Sequence, residues 1–235
     1  MQNIELKERI LDYRSKEAFK MLRTNIEFSG GDLKVICITS CIPNEGKSNI
    51  SFEVAKAYAQ MGKKVLLVDA DLRKSVMRRR HKKGKVRLGL VNYLVGKCEF
   101  EEALCSTDEK NLYMIFSGPV PPNPTELLSN MRFAQMIENA REEYDMIIID
   151  TPPLGNVIDA AVVSKCCDGA VIVIAAGNVS YRFARKIKEQ LEVAECRILG
   201  CVLNKVDLSG KSYYGKYYGT YYGKYYGKYY GNYGE

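Results

Sequence analysis

The stretch from Val35 to Ser48 constrains the fold of this chain more than any other part of the sequence. An apolar run from Val35 to Ile38 predicts a buried strand, a short loop closed by Gly46-Lys47-Ser48 follows, and a helical pattern continues to Met61. This order forms a phosphate cradle, because backbone N–H groups and the helix dipole converge on one anion. Cys41 stands where the G-x-x-x-x-G-K-[ST] pattern has its first glycine, but the rest of the context is present, so we predict a P-loop.

Two further apolar runs end in carboxylates. The run from Val65 to Val68 leads into Asp69, with Asp71 two residues later, and the run from Met146 to Ile149 leads into Asp150. In an open parallel sheet, ligands bind beside the carboxyl ends of the strands. Polar residues are common at strand ends, but beside a phosphate cradle these carboxylates favour an active site in which Asp150 holds Mg²⁺ directly or through water.

Strands and helices alternate through the rest of the chain. The patterns predict a strand from Ala170 to Ala175, a helix from Ser180 to Glu192 and a strand from Ile198 to Leu203. Such alternation implies a mostly parallel β-sheet with helices on both faces. We therefore expect an α/β, P-loop NTPase-like domain over residues 1–208, for which a chain of 235 residues is long enough.

Two more helices and a basic segment complete this outline. Ser15 is a candidate cap for a helix over residues 15–28, and Thr125 is a candidate cap for a single helix that continues to Arg141. The segment from Arg73 to Arg87 contains nine Lys and Arg residues and the only histidine. A charge run of this kind is usually solvated surface, but it also suits docking of an acidic partner segment or anionic lipid.

Bulk composition argues against several classes of protein. The formal charge of +7 is modest and partly local, so it does not indicate a nucleic-acid partner. Eight cysteines without C-x-x-C spacing or a preceding signal peptide indicate reduced thiols in a cytoplasmic protein. Cys41 is then better interpreted as an inert small residue than as a reactive thiol. No apolar run is long enough to cross a bilayer, so we expect membrane association only through a partner.

The composition changes abruptly at Ser212. Tyr-Tyr-Gly units recur every four residues, and eleven of the seventeen tyrosines lie in this part of the chain. Because the repeats contain glycine and no aliphatic residues for a core, we expect residues 209–235 to form a flexible tail. The tail is either a self-associating segment or, as the nucleotide site on the same chain favours, a set of phosphate acceptors. The candidate acceptors are Tyr213, Tyr214, Tyr217, Tyr218, Tyr221, Tyr222, Tyr225, Tyr226, Tyr229, Tyr230 and Tyr233.

The last predicted strand is followed by Asn204-Lys-Val-Asp207, which fits the N-K-x-D guanine pattern of GTPases. This short pattern often matches by chance, so it leaves GTP open as a ligand without indicating it. Asn204 is a candidate contact to the base edge of whichever purine binds.

These motifs together resemble those of bacterial tyrosine kinases of the capsule and exopolysaccharide type, in their free-standing form. They are the Walker A stretch Ser40–Ser48, the A′ stretch Val65–Arg73, the Walker B stretch Ile147–Pro153 and the terminal tyrosine cluster. Gly118–Leu128 is also similar to the family, and the likeness covers nearly the whole chain from Glu17 onwards. The resemblance implies ATP and Mg²⁺ as cofactors and autophosphorylation of tail tyrosines, in trans within a ring-like homo-oligomer.

The resemblance also implies partners. A transmembrane activator, the polysaccharide co-polymerase, would complete the site with its cytosolic tail and hold the kinase at the inner face of the cell membrane, where capsular or exopolysaccharide synthesis and export are regulated. Other phosphorylated proteins are further candidate partners, and a nucleic-acid partner is not expected. Octameric rings of the family form through an E-x-x-R-x-x-R helix, whose positions here are Glu17, Lys20 and Arg23. By charge spacing alone these residues indicate a solvated helix face, and Lys20 lacks the bidentate fork of arginine.

Phosphoryl transfer needs positioning and charge neutralisation more than covalent help, which suggests a role for each residue. Lys47 would balance phosphate charge, and Arg73 would steady the transferring group. Asp71 would accept the tyrosine proton and Asp69 would support the metal, although the sequence leaves these two roles exchangeable. The predicted metal ligands are Ser48, Asp69 and Asp150, and the residues expected to contact the nucleotide are Cys41, Ile42, Pro43, Asn44, Glu45, Gly46, Lys47, Ser48, Asn49 and Asn204.

Two other functions fit parts of the sequence. A partitioning or septum-positioning ATPase acts as a dimerisation switch, but such proteins usually have a signature lysine where this chain has Ile42. A non-catalytic modulator, modified by another kinase, would not need the full set of loop and carboxylate residues. An animal-type kinase is excluded because no H-R-D or D-F-G set is present. Asn44 replaces a glycine that is usual in the family, and asparagine is the best substitute if that position requires a positive φ.

Overall fold

The computed structural model describes residues 1–7 and 10–207. Within these residues, nine strands form one sheet in the order β4-β1-β5-β6-β3-β7-β2-β8-β9. The strands are β1 (Gln2–Leu6), β2 (Val35–Ser40), β3 (Val65–Asp69), β4 (His81–Gly84), β5 (Cys105–Thr107), β6 (Leu112–Ile115), β7 (Met146–Asp150), β8 (Gly169–Ala175) and β9 (Ile198–Asn204).

The sheet is mostly parallel, as predicted. Only the β1–β4 and β5–β6 pairs run antiparallel, and the other six pairs of neighbouring strands run parallel. Every residue of β2, β3 and β7 is buried. Strands that are buried on both faces need apolar residues at consecutive positions, which explains why these three were visible in the sequence as continuous apolar runs.

Helices cover both faces of the sheet and bury two separate cores. One core lies under α1 and α2, where Ile26, Phe52 and Tyr58 pack on the sheet. The other lies under α3, α6, α7 and α8, and includes Phe133 and Leu191. The helices are α1 (Tyr13–Phe28), α2 (Lys47–Ala59), α3 (Leu90–Leu94), α4 (Phe100–Ala103), α5 (Pro124–Ser129), α6 (Met131–Glu143), α7 (Asp159–Ser164) and α8 (Tyr181–Val193).

Two predicted helix starts were wrong. Helix α1 begins at Tyr13, because the side chain of Asp12 caps it by accepting a hydrogen bond from the backbone N–H of Ser15. The predicted single helix from Thr125 to Arg141 is two helices, α5 and α6, which meet at Asn130. Asn130 ends α5 and caps α6, whereas Pro124 occupies the first turn of α5 in place of a Thr125 cap.

Three short strands were missed by the sequence prediction. Strands β1, β4 and β5 have three to five residues each and lie towards one edge of the sheet, where little apolar periodicity is needed. The basic segment from Arg73 to Arg87 is mostly exposed, as expected, but it also contains a 3-10 turn over Met77–Arg80 and strand β4. The predicted tail, residues 209–235, lies outside the described residues. In the described part of the chain, no helix has the length and hydropathy of a membrane span.

Candidate active site

The predicted carboxylates meet at the carboxyl edge of the sheet, because their strands are neighbours. Strand β3 pairs with β7, and Asp69 lies directly opposite Asp150 in the register. Strand β7 pairs in turn with β2, which leads into the loop before α2. The phosphate loop and both acidic strand ends are therefore brought to one place by topology alone.

The phosphate loop contains two residues in the left-handed region. Gly46, with φ 97°, stands at the N-cap of α2, and Asn44 has φ 66°. The expectation that asparagine replaces glycine at a positive-φ position is thus confirmed. Cys41 has no positive φ, so the backbone does not require the glycine that the usual pattern places there.

Glu45 is the feature of the loop that the sequence did not reveal. Its side chain is fully buried, and its Oε2 accepts hydrogen bonds from the backbone N–H groups of Cys41 (2.7 Å) and Ile42 (2.9 Å). Its Oε1 accepts a third from the N–H of Ala175, at the end of β8 (2.9 Å). Two loop N–H groups therefore point at an internal carboxylate. A single glutamate in a loop has no sequence pattern from which this contact could be read.

The end of β9 braces the loop from the other side. Asn204 Nδ2 donates to the carbonyl oxygen of Glu45 (2.8 Å), and Lys205 Nζ donates to that of Asn44 (2.6 Å). A Cβ at Gly46 would overlap Asn204 Nδ2, so this close approach requires glycine. Asn204 thus contacts the phosphate loop itself, and the contact predicted to a nucleotide base stays a prediction.

The ammonium group of Lys47 contacts two side-chain oxygen atoms. Its Nζ is 3.0 Å from Asp71 Oδ2 and 3.2 Å from Ser48 Oγ. Burial lowers the pKa of Lys47, but the carboxylates of Asp150 and Asp71 raise it more, so the net shift is upward. The ammonium is therefore held in its charged form.

Asp150 and Asp69 are both almost completely buried. Asp150 accepts a hydrogen bond from Ser51 Oγ (3.0 Å), and burial raises its pKa although Lys47 opposes this. Asp69 Oδ2 accepts from Ser75 Oγ and from the backbone N–H of Ser117 (3.2 Å). Burial and the neighbouring Asp150 raise the pKa of Asp69 to about 7. Asp69 Oδ1 has no hydrogen-bond partner among the described residues.

The residues present suit a magnesium ion that arrives with a nucleotide. The unpartnered Oδ1 of Asp69, the Ser48 hydroxyl and the Asp150 carboxylate are hard oxygen donors, which Mg²⁺ prefers. The described residues contain no preformed group of three His, Cys, Asp or Glu side chains at metal distance. Mg²⁺ usually binds through one or two carboxylates together with substrate phosphates, so the donor set fits this mode and not a dedicated cage.

Arg73 is committed to neighbouring helices. Its Nε and Nη2 donate to the carboxylate of Asp159 (2.7 and 3.1 Å), and Nη2 also donates to Thr125 Oγ1 (2.8 Å). The hydrogen bond to Asp159, a fully buried residue, is the main reason that the pKa of Arg73 is raised. The guanidinium therefore ties the loop after β3 to α5 and α7, and its predicted contact to the transferring phosphate stays a prediction.

The helix residues predicted for subunit contacts already have partners within the chain. Lys20 Nζ is 2.7 Å from Glu17 Oε1, one turn away. Arg23 Nη1 donates to the carbonyl oxygen of Ala57 on α2 (3.3 Å). The charge pattern thus forms one intrahelical pair and one contact to the phosphate-loop helix.

The surroundings of Cys41 make its thiol unreactive. All eight cysteines are free, and burial raises the pKa of Cys41 to about 12, with Glu45 contributing. A thiol with such a pKa is almost entirely protonated at neutral pH. The interpretation of Cys41 as an inert small residue is therefore supported by its environment.

Comparison with known proteins places this site in a family. A family model described as an AAA domain matches residues 33–196. The tyrosine-protein kinase CpsD of Streptococcus agalactiae is 45% identical over 86% of this chain and 91% of its own length. The tyrosine-protein kinase YwqD of Bacillus subtilis is 42% identical over 86% of this chain and 85% of its own length. The solved kinase domain of the Escherichia coli tyrosine kinase ETK superposes with a TM-score of 0.75 and 32% identity, covering 84% of this chain and 79% of that domain.

The fold is also shared with a second functional class. The septum site-determining protein MinD of Pyrococcus horikoshii, solved with Mg-ADP, has a TM-score of 0.63 and 26% identity over 77% of this chain and 72% of its own. Both its structural and its sequence similarity are lower than those of the kinases.

Proposed function

This chain belongs to the capsule-type bacterial tyrosine kinases, a family of ATP-dependent enzymes, and we propose that its main substrate is the tyrosine-rich tail, residues 209–235, of another copy of the same chain. One observation carries the proposal. The phosphate loop, Lys47 and the carboxylates of Asp71 and Asp150 lie at one edge of the domain, and the same polypeptide ends in eleven closely spaced phenols.

The proposed binding mode follows from the geometry of the loop. The outer phosphates of ATP would replace Asp71 as the main partner of Lys47, because a triphosphate has more negative charge than one carboxylate. Ser48 and Asp150 would hold Mg²⁺, with Asp69 as a further ligand or as the partner of a bound water. When bound, Mg²⁺ would neutralise charge on the phosphate oxygens. The remaining N–H groups of the loop would hold the phosphates in line with the attacking phenol.

Asp71 is our choice for the group that accepts the tyrosine proton. In the structure its Oδ2 is held by Lys47 and its Oδ1 accepts from the backbone N–H of Lys74 (3.0 Å). Once Lys47 turns to phosphate, Oδ2 is free to take the phenol proton. The phenol oxygen then forms its bond to the γ-phosphorus as the bond to the β-phosphate oxygen breaks, and ADP leaves. Asp69 is the alternative base, because its Oδ1 is already without a partner.

The regulatory setting of the reaction is also proposed from the family. Residues 1–208 would act as the catalytic domain, with residues 15–28 as the oligomerisation helix of an octameric ring in which the tail reaches a neighbouring site. A transmembrane activator would bring the chain to the inner face of the membrane, where phosphorylation of the tail regulates capsule synthesis and export. The exposed face of α1 supports this arrangement, since half of its residues are exposed and only Ile26 of that helix is buried.

The proposal is tested by mass spectrometry of the purified, dephosphorylated chain after incubation with Mg-ATP. We expect phosphate on tail tyrosines of the wild type and at least a hundredfold less on Lys47→Met and on Lys47→Arg, which retains the positive charge. Equal labelling of all three proteins would contradict the assigned site. GTP in place of ATP tests the pattern from Asn204 to Asp207, and we expect the family's preference for ATP.

The direction of transfer needs a separate mixture. Lys47→Met chains, which retain their tyrosines, are mixed with active chains in which all eleven tail tyrosines are phenylalanine. We expect phosphate on the inactive chains, as transfer between subunits requires. Absence of label in the mixture, with normal labelling of intact wild-type chains, would show that transfer occurs within one chain.

A further inference from the structure

The outermost strand of the sheet forms a basic surface that the proposed reaction does not use. We call residues Arg78–Arg87, which include β4, the basic edge. Among the residues that the structure describes, strand β4 pairs only with β1, so it is an edge strand of the sheet. The basic edge has seven Lys and Arg residues and no Asp or Glu. Exposed cations without an ion pair among the described residues are Arg78, Arg79, Lys82, Lys85 and Arg87.

The basic edge is attached firmly to the active-site side of the domain. Arg80 donates to Asn49 Oδ1, and its guanidinium lies 4.7 Å from the ring centre of Phe52. It also forms an ion pair with Glu53 (3.8 Å). All three partners lie on α2, the helix that begins at the phosphate loop. Ser75, which lies three residues before the basic edge, donates to Asp69.

The direction of β4 places two of the exposed cations, Lys85 and Arg87, at the phosphate-loop edge of the sheet. Strand β4 is antiparallel to β1, β1 is parallel to β5, β5 is antiparallel to β6, and β6 is parallel to β3. Strand β4 therefore runs in the same direction as β3. Lys85 and Arg87 follow its carboxyl end, and the chain continues to Leu90, whose N–H bonds the carbonyl oxygen of Phe116 beyond β6.

The tail reverses its charge when it is phosphorylated. Residues 209–235 contain four lysines and one glutamate, so the unmodified tail is positive and is repelled by the basic edge. Each phosphate adds about −1.5 to −2 charge at neutral pH, so modification of three or four tyrosines makes the tail negative. We propose that the basic edge binds the phosphorylated tail and holds it away from the phosphate loop. This inference rests on the proposed function, which supplies the phosphate.

The tail is long enough to reach this surface within one chain. It follows β9, and β9 and β4 are the two opposite edges of the sheet. Nine strands at about 4.8 Å spacing separate these edges by about 38 Å. The 27 residues of the tail span up to about 90 Å when extended, which allows a path around the rim of the domain.

Four carboxylates lie near the basic edge, and two of them, Asp108 and Glu109, line the same surface hollow as Lys82 without an ion pair to it. Glu5 lies opposite Lys83 and pairs with it (3.4 Å), and Glu53 pairs with Arg80. Lysines on an edge strand also have a purely protective use, because they discourage pairing of the strand with other chains. That use needs no preference for phosphate, so it is separable from the proposal by experiment.

The test uses the full-length chain, dephosphorylated and without ATP, and a fluorescently labelled synthetic peptide of residues 209–235. One form of the peptide has phosphotyrosine at positions 217, 221, 225 and 229, and the other has none. Fluorescence anisotropy compares the wild type with Lys82→Glu/Lys85→Glu/Arg87→Glu. The matched control, Lys63→Glu/Lys97→Glu/Lys165→Glu, makes the same number of charge reversals at exposed residues outside the basic edge.

We expect the phosphopeptide to bind at least tenfold more tightly than the unmodified peptide, with affinity that falls as salt rises. The edge variant should lose at least tenfold in affinity and the control less than twofold. Equal losses in both variants, or none in the edge variant, would overturn the proposal. So would binding of phosphatidylserine vesicles, but not of the phosphopeptide, through the same residues. Because the peptide is synthetic, this result is independent of whether the chain phosphorylates itself, which the mass-spectrometric test measures separately.

Discussion

Lys47 Nζ lies 3.0 Å from Asp71 Oδ2, with the side chain of each residue largely buried. Because Asp69 and Asp150 also lie nearby, this ammonium is the main charge that compensates three buried carboxylates. We expect Lys47→Met to lower the free energy of unfolding by about 3 kcal/mol in nucleotide-free buffer, since breaking a buried pair leaves an uncompensated charge. Urea denaturation at pH 7 in the presence of EDTA measures this loss.

The double variant Lys47→Met/Asp71→Asn is the control for that loss. Removing both charges should restore part of the stability. The losses of free energy of unfolding in Lys47→Met and Asp71→Asn, added together, should therefore exceed the loss in the double variant. Strict additivity of the two substitutions would show that the pair contributes nothing. Neither variant should phosphorylate the tail.

Glu45 is expected to affect ATP binding through its hold on the backbone of the phosphate loop. In Glu45→Gln an amide NH₂ group would meet backbone N–H donors that now point at a carboxylate, and unsatisfied donors cost about 1–3 kcal/mol. We predict at least a tenfold weaker affinity for Mg-ATP by isothermal titration calorimetry, with a rise in KM larger than the fall in kcat. The control Glu142→Gln changes an exposed glutamate and should leave both constants unchanged. Unaltered affinity in Glu45→Gln would refute the positioning role.

Gly46 and Asn204 should behave as a coupled pair. Gly46→Ala forces a side chain into a φ of 97° and against Asn204 Nδ2, and we expect it to lower the free energy of unfolding by about 3 kcal/mol. Asn204→Ser removes the obstructing amide and one hydrogen bond, for about 1 kcal/mol. In the double variant only the φ strain and the lost bond remain. Its loss in free energy of unfolding should therefore be smaller than the sum of the two single losses. A loss equal to or larger than that sum would contradict the contact.

Asp168 should give the domain a measurable acid sensitivity away from the active site. Burial raises its pKa, but Arg141 and the backbone N–H groups of Val35 and Lys34 lower it more, so the net shift is downward. A lowered folded-state pKa contributes stability above the ordinary value near 4, and this is lost as the pH falls through the folded-state pKa. We expect Asp168→Asn to cost roughly 1–2 kcal/mol at pH 7, allowing for partial exposure, and progressively less below pH 4.

Urea denaturation between pH 3 and pH 7 measures the effect of Asp168→Asn. Asp32→Asn, a change at an exposed loop residue, serves as the comparison and should leave the pH profile unchanged. A difference between wild type and Asp168→Asn that persists in full at pH 3 would mean that the carboxylate charge is not the stabilising feature.

The parts of the fold that could be predicted were those in which burial dictates residue type. Strands β2, β3 and β7 lie in the middle of the sheet, where both faces must be apolar, and their ends supplied Asp69 and Asp150 as site residues. Asn44 was also predictable, because few residues tolerate a positive φ. The short strands near one edge of the sheet were not predicted because they bury little apolar surface.

The contacts that could not be predicted join residues far apart in the chain through polar atoms. Arg73 binds Asp159, 86 residues away, and Glu45 binds the N–H of Ala175, 130 residues away. Neither pairing leaves a periodic pattern, because the first joins two single side chains and the second joins one side chain to one backbone N–H group. The predicted caps Ser15 and Thr125 were wrong for local reasons: Asp12, close to Ser15, has an equally suitable side chain, and Pro124 starts α5 before Thr125.

The buried carboxylate of Glu45 also determines which positions of the phosphate loop tolerate substitution. It holds Cys41 and Ile42 through their main-chain groups, so any small residue at 41 and many residues at 42 would leave the loop shape intact. Substitutions at residues 45 and 46 would not be tolerated in this way. If the loop is randomised and variants are selected for nucleotide binding, the selected sequences should keep the residues at positions 45 and 46. Positions 41 and 42 should vary. Motif searches that require the first glycine of the P-loop pattern would not detect such proteins. A search that requires a glutamate immediately before the second glycine would detect them.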